Sequence, residues 1–380
     1  MATIVHFGKY YFPDEGGIEN VTRTLATGAV HAGHAVTVVC FQKSAAAVTD
    51  TLDGVRIIRT PIARLIASQP LGWSYPLQCL RHGRRADVIH MHAPNMLGAL
   101  CALLIGSRPK LVIHWHSDVI GKGLLGRLLK PLESLLLKRA DRVVATSQIY
   151  ADASPTLKPF LSKVRVVPIG VPDPQATPPP EQPLPPELSR LLHGKKLILA
   201  VGRLVPYKGF HGLIAAAQAL REEAIVIIVG GGPLQEPLQN AIDAANMNHR
   251  VHLAGRLDHA TLHRLFQRAH LYCLPSEERS EAFGVVLLEA MAYGLPIVAT
   301  RIPGSGVPWV NQHEVSGLNV AVGDPHALAE ACNRLLGSDS LHRRLSQGAR
   351  ERFLSTFTET MTIQRMMMLY DQLLHPDPAS

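Results

Sequence analysis

The sequence predicts an α/β protein of two doubly wound, Rossmann-like domains facing each other across a cleft. Three observations predict it. Short apolar, β-branched runs alternate with longer segments, the pattern of parallel sheets covered by helices on both faces. A dense set of prolines, Pro172, Pro174, Pro178, Pro179, Pro180, Pro183, Pro185 and Pro186, interrupts that alternation and excludes regular structure, as a semi-rigid linker does. A length of 380 residues exceeds one ordinary core and suits two of roughly 150 to 200 residues each.

In order along the chain, strands are expected at residues 3–7, 35–41, 55–60, 87–92, 111–116, 142–146 and 164–168. After the prolines a second set is expected at 196–201, 224–229, 251–254, 271–274, 296–300 and 318–320. The division is residues 1–172 and 173–357, with a last helix from about 358 carrying Met361, Ile363, Met366, Met367, Leu369, Tyr370 and Leu373. Ligands of such sheets bind where strands end and loops begin, so those junctions carry the chemistry.

Composition narrows the class. The chain is 47% apolar and 18% charged, as globular proteins are. Cys40, Cys79, Cys101, Cys273 and Cys332 show neither paired nor regular spacing, which argues against a disulfide framework or a zinc site and for a reducing cytoplasm. The N-terminus lacks the charged start and apolar run of a signal peptide. The longest apolar stretch, residues 96–105, is far short of the roughly 20 residues of a membrane span. The net charge of +8 is uneven: residues 1–172 hold 20 Lys and Arg against 10 Asp and Glu, and the remainder 18 against 20. An anionic partner is therefore expected at the first domain, and with no nucleic-acid motif present it is membrane lipid or a diphosphate-linked lipid rather than nucleic acid.

Four junctions stand out. Gly16 and Gly17 open a helical pattern through Val21, Leu25 and Ala29, where backbone amides can approach a diphosphate at a helix start. Gly202-Arg203-Leu204-Val205-Pro206-Tyr207-Lys208-Gly209 sets two cations five residues apart after an apolar strand, a fork and a point charge suited to pyrophosphate. His116 falls nearest the carboxyl end of a strand shared with His114 and can meet a sugar hydroxyl or take a proton. A metal there would need a third ligand, and beyond His90 and His92 none is obvious, so no metal site is expected. Glu281 and Glu289 lie in an otherwise apolar segment; on a helix from Ala282 to Gly294 they would stand about 12 Å apart along the axis. Buried carboxylates need partners, and both sugar hydroxyls and a neighbouring Arg279 or Arg301 would serve.

Together the Gly16-Gly17 loop, the Gly202 to Gly209 segment and Glu281 to Glu289 resemble the retaining glycosyltransferases of the GT-B fold, a family with an E-x7-E signature. The segments His116-Ser117-Asp118 to Lys130-Pro131-Leu132, Val144-Ala145-Thr146-Ser147 and Pro168-Ile169-Gly170 look closer still to bacterial polysaccharide mannosyltransferases. The resemblance implies an N-terminal acceptor-binding domain completed by the last helix, and a donor-binding domain over 173–357. It implies that Arg203 and Lys208 hold the donor diphosphate, with Gly202 beside them and Gly16 and Gly17 closing over it. Glu289 would accept the ribose hydroxyls, Glu281 the donor sugar, and the amides of Ala282, Phe283 and Gly284 sugar hydroxyls or phosphate. His116 would contact the transferred sugar. Configuration would be retained by front-face attack assisted by the leaving phosphate, with no metal or other cofactor, from GDP-mannose to a polyprenyl-diphosphate-linked oligosaccharide. Another nucleotide sugar such as a UDP-sugar, an epimerase of the same architecture, or a silent sugar-nucleotide binder are the alternatives. One departure is visible: where the family often has Gly-Gly-x-Pro-Glu, this chain reads Pro303-Gly304-Ser305-Gly306-Val307-Pro308-Trp309, with Trp309 in place of the glutamate.

Residues 121–139 combine leucines with Lys122, Arg127, Lys130, Lys138 and Arg139. Leu124, Leu125, Leu128, Leu132, Leu135 and Leu136 form an apolar stripe, read as membrane-facing over 121–130 and as sheet-facing beyond Pro131. Arg81, Arg84 and Arg85 add a second basic cluster. A cytoplasmic enzyme held peripherally at the anionic inner face of the plasma membrane is the expectation.

Overall fold

The computed structural model describes the chain apart from residues 15, 43–45, 67–68, 119–122, 179–181 and 377–380 and the side chains of 121–128. It divides into two compact units, Met1–Gly170 with Glu359–Ser380, and Val171–Thr358.

The first unit is built on strands β1 (Thr3–Phe7), β2 (Ala35–Gln42), β3 (Val48–Leu52), β4 (Val55–Pro61), β7 (Val88–Ala93), β8 (Lys110–Trp115), β9 (Arg142–Ala145) and β10 (Val164–Val166), with a separate hairpin of β5 (Arg64–Ile66) and β6 (Gln69–Leu71). The sheet runs β10-β9-β8-β7-β1-β2-β4-β3. Every pairing is parallel except that of β3 with β4. The parallel strands are apolar runs because both faces of the sheet are covered. Strand β3 was not expected: four of its five residues are exposed, so it has no apolar run, and it reaches β4 through the Asp53-Gly54 turn, both at positive φ. Register aligns His6 with His90 and His92 with His114.

The helix Gly17–His31 packs against the last helix, Glu359–Leu374, closely enough that a Cβ on Gly28 would collide with Ile363. Thr24 hydrogen-bonds Glu359 and the Thr362 hydroxyl donates to Pro168 O at 2.8 Å, so this helix is seated in the first unit.

The second unit is wholly parallel: β11 (Lys196–Val201), β12 (Ala224–Val229), β13 (Val251–Gly255), β14 (Leu271–Leu274), β15 (Ile297–Thr300) and β16 (Gly317–Val320), in the order β13-β12-β11-β14-β15-β16. All six residues of β12 are buried, and Ile198, Val226, Ile228 and Val298 meet Leu213, Leu238 and Leu328 from the covering helices in one core. Truncating such a side chain to Ala costs about 2 to 5 kcal/mol.

Candidate active site

In the second unit the site forms at the ends of β11 and β14. Beyond β11 the chain turns through Pro206–Lys208 and enters the helix Phe210–Ala216 at Gly209, which is left-handed with φ 65° and has Pro275 O where a Cβ would go. That turn folds Lys208 back over Gly202 and buries it to 7% exposure, while Arg203 stays exposed. The Lys208 Nζ meets Glu281 Oε2 at 2.6 Å, and the Ser276 hydroxyl donates to the same oxygen at 2.9 Å. Glu281 therefore pairs with Lys208, not with Arg279, whose Nε donates to Gly304 O at 3.0 Å, nor with Arg301.

The expected helix from Ala282 to Gly294 is corrected. The helix is Val285–Ala292, because Gly284 takes the left-handed conformation, φ 76°, at its N-cap. Glu281 thus lies in the loop ahead of the helix, and the amides of Ala282 and Phe283 precede its first turn. The loop is held from beside: Ser305 donates to Glu281 O, and Gly306 N donates to Ala282 O at 2.8 Å. The 12 Å axial spacing does not apply, and both carboxylates answer to one cation. Burial pushes the Glu289 carboxyl up to about 7, and His259 and Lys208 pull it back down. Ser276, Ser305 and His259 were missed from sequence, since each lies far from or outside the signature motif and reaches the glutamates only through the fold.

Trp309 packs into an aromatic group, its ring 6.2 Å from Phe283 and 5.5 Å from Phe357, with the Arg352 guanidinium 5.3 Å above it. At the position where the resemblance would put a glutamate, this chain has an aromatic stack that backs the Ala282-Phe283 loop.

In the first unit Gly17 opens the helix and Gly16 caps it in extended backbone, φ 177°. A Cβ on Gly17 would meet nothing, whereas one on Gly16 would collide with the Glu19 carboxylate, which folds back over the helix start. His116 lies one residue past β8 rather than on it, its N–H donating to Ala93 O at 3.2 Å, and it is 8% exposed.

His116 is one of five adjacent buried imidazoles. His6, His90, His92, His114 and His116 stand with neighbouring ring centroids 4.3 to 5.6 Å apart. His116 Nε2 lies 3.1 Å from His92 Nδ1, and His92 Nε2 lies 3.1 Å from His6 Nδ1. A second file joins His114 Nδ1 to His90 Nε2 at 3.3 Å and His90 Nδ1 to the Tyr370 hydroxyl of the last helix. Burial holds His6 and His116 down at about 3 and the other three well below the usual histidine range. His90, His92 and His114 each bring a nitrogen within 4.8 Å of the others, so a third nitrogen does exist. A metal ion could use them only by breaking the hydrogen bonds that already join the rings.

Of the basic groups, Arg81, Arg84, Arg85 and Lys130 are exposed; Lys122 and the side chain of Arg127 lie outside the described residues. The leucine stripe is corrected beyond residue 128. In the helix Gly123–Arg139, Glu133, Leu136 and Leu137 are buried with Ala140 at i, i+3, i+4 and i+7, while Leu132 is half-buried and Leu135 is 54% exposed.

A family profile described as glycosyl transferases group 1 matches residues 187–352, and one described as a glycosyl transferase 4-like domain matches residues 16–170. The O-antigen chain mannosyltransferase C of Escherichia coli is 31% identical over 381 residues, 98% of each chain. A D-rhamnosyltransferase of Pseudomonas aeruginosa is 31% identical over 93% of this chain and 92% of its own. Among solved structures, sucrose-phosphate synthase from Thermosynechococcus elongatus matches with a TM-score of 0.78 at 22% identity, over 99% of this chain and 100% of that one. Anabaena HepE in complex with UDP matches with a TM-score of 0.74 at 20% identity, over 98% of this chain and 100% of that one. With a relative aligned from end to end and a profile on each unit, the chain belongs to the group 1, 4-like glycosyltransferases and has the GT-B fold.

Proposed function

We propose that the protein transfers mannose from GDP-mannose, with retention, to a polyprenyl-diphosphate-linked saccharide in bacterial polysaccharide synthesis. It would work in the cytoplasm at the anionic inner surface of the plasma membrane. The observation that carries the reading is Lys208: a buried ammonium hydrogen-bonded to Glu281 and acting on Glu289. A cation so placed can meet a diphosphate while the two carboxylates accept hydroxyl donors. The end-to-end mannosyltransferase relative supports the choice of sugar and pathway.

In this reading Arg203 and Lys208 stabilise the charge on the departing diphosphate, so no metal ion enters. Gly202 leaves room for Lys208; Gly16 and Gly17 offer amides to the diphosphate once the Glu19 carboxylate moves aside. Glu289 takes the ribose hydroxyls, and Glu281 with the Ala282, Phe283 and Gly284 amides takes the sugar. His116 meets the sugar through Nδ1, because Nε2 is engaged by His92. The acceptor hydroxyl attacks the anomeric carbon on the face the diphosphate leaves. The carbon–oxygen bond to phosphate breaks with its electron pair passing to the diphosphate oxygen, which takes the hydroxyl proton.

Calorimetry with GDP, UDP and ADP tests the donor: GDP should bind tightest, and tight UDP with no GDP binding would overturn the mannose assignment. A second expectation follows from Glu289. A carboxyl poised near 7 must ionise to accept ribose hydroxyls, so nucleotide affinity should fall about fivefold from pH 7 to pH 6. Glu289→Gln should bind more weakly and lose that dependence; an unchanged pH profile in the variant would place the titrating group elsewhere.

A further inference from the structure

Residues 61–86 carry Arg64, Arg81, Arg84 and Arg85 and no Asp or Glu. They form the β5–β6 hairpin and the helix Ser74–Gly83. Trp73, which precedes that helix, is 92% exposed and Leu77 is 64% exposed; with Arg81 they repeat at i, i+4 and i+8, so one face presents a tryptophan, a leucine and a cation in line. On the hairpin Leu65 is 60% exposed and Ile66 47%. The helix Met96–Ile105 packs alongside and adds Leu100 and Leu104. Scattered single apolar groups are ordinary on a surface, but six on three neighbouring elements are not.

These groups are held firmly rather than loosely. Tyr75, two residues after Trp73, is buried, stacks on Phe41 at 4.2 Å, donates to Gly8 O at 3.0 Å and accepts from Asn95 Nδ2 at 2.9 Å. Gln69 of the hairpin accepts from Met96 N at 3.2 Å and donates to Asn95 Oδ1 at 3.4 Å. The hairpin and the starts of both helices are thus bonded into one platform at the end of β1. Trp73 is exposed because the fold turns it outward.

We propose that this platform seats the protein on an anionic lipid bilayer, Trp73, Leu77, Leu65 and Ile66 entering the headgroup layer and Arg64, Arg81, Arg84 and Arg85 meeting lipid phosphates. Tryptophan at an interface beside apolar side chains and clustered arginines is the chemistry of peripheral membrane binding. The choice of a bilayer as occupant rests on the proposed lipid-linked acceptor.

The test is flotation of the full chain with vesicles of phosphatidylglycerol and phosphatidylethanolamine, or of phosphatidylcholine alone. The wild type should float with the anionic vesicles at least tenfold more than with the neutral ones. Leu65→Ser/Trp73→Ser/Leu77→Ser and, separately, Arg84→Glu/Arg85→Glu should each lose about tenfold in vesicle binding. The first variant should keep wild-type nucleotide affinity and thermal midpoint. Brominated acyl chains should quench fluorescence in the wild type more than in Trp73→Phe. Equal flotation with neutral vesicles, undiminished flotation of either variant, or loss of self-association in place of vesicle binding would overturn the proposal. Anionic binding that persists with no transfer from any sugar nucleotide would instead sink the proposed function and leave the platform standing.

Discussion

Lys208→Ala is expected to lower transfer about 10²- to 10³-fold and to destabilise the second unit by about 3 to 5 kcal/mol. Two separate causes act. The rate falls because a fixed positive charge no longer meets the charge growing on the leaving group. Stability falls because the Glu281 carboxylate, 8% exposed, keeps among the described residues only the Ser276 hydroxyl as a side-chain donor. Glu281→Gln should destabilise less, since the ammonium that remains still faces Glu289. Lys208→Met/Glu281→Gln removes both charges of the pair and should recover most of the stability lost in Lys208→Ala, because the Glu281 carboxylate is no longer left buried without its cation, while Glu289 still has His259 beside it. It should recover none of the activity. Urea unfolding and transfer rates on the same four proteins separate the two effects. Near-normal turnover in Lys208→Ala, or a double variant as active as the wild type, would show that the diphosphate is held elsewhere.

The parallel strands were legible because sheets buried on both faces are written as continuous apolar runs, as in the six residues of β12. Strand β3 was not, since an edge strand with four exposed residues of five carries no such run; the Asp53-Gly54 turn was its remaining signal. The two signature glutamates were legible as a pair, but their spacing suggested one helix, and Gly284 between them breaks it. Glu281's partner was not legible, because Lys208 lies 73 positions away and arrives by a turn. The histidine file was least legible. His90 and His92 show strand spacing, but whether they face His6 and His114 depends on the register of three strands, and Tyr370 joins from the far end of the chain.

That file gives the first unit a sharp acid limit. All five imidazoles are buried and neutral, held well below the 6.5 that each has when the chain unfolds. Below pH 6.5 the unfolded chain therefore takes up protons that the folded unit refuses, and stability falls with pH. Well below pH 6.5 each group contributes about 1.4 kcal/mol per pH unit; from pH 7 to pH 5 each contributes about 2 kcal/mol and five about 10 kcal/mol, against a total stability of about 5 to 15 kcal/mol. Full stability is expected above pH 7 and cooperative loss of the first unit near pH 5. The second unit should outlast it: His270 there is also depressed, to about 4, but His252, His263 and His270 are only partly buried. Trp115, buried in the first unit, and Trp309, in the second, report the two transitions. His6→Met/His114→Met removes the two rings of the file whose Nε2 atoms are buried without a partner among the described residues, and unfolding should then take up two protons fewer near pH 5. Unfolding free energies measured from pH 7.5 to pH 5 give that count as a slope. A wild-type slope of one proton or less would mean that the rings are charged or hydrated in the folded protein, and the file would not be the neutral structure described.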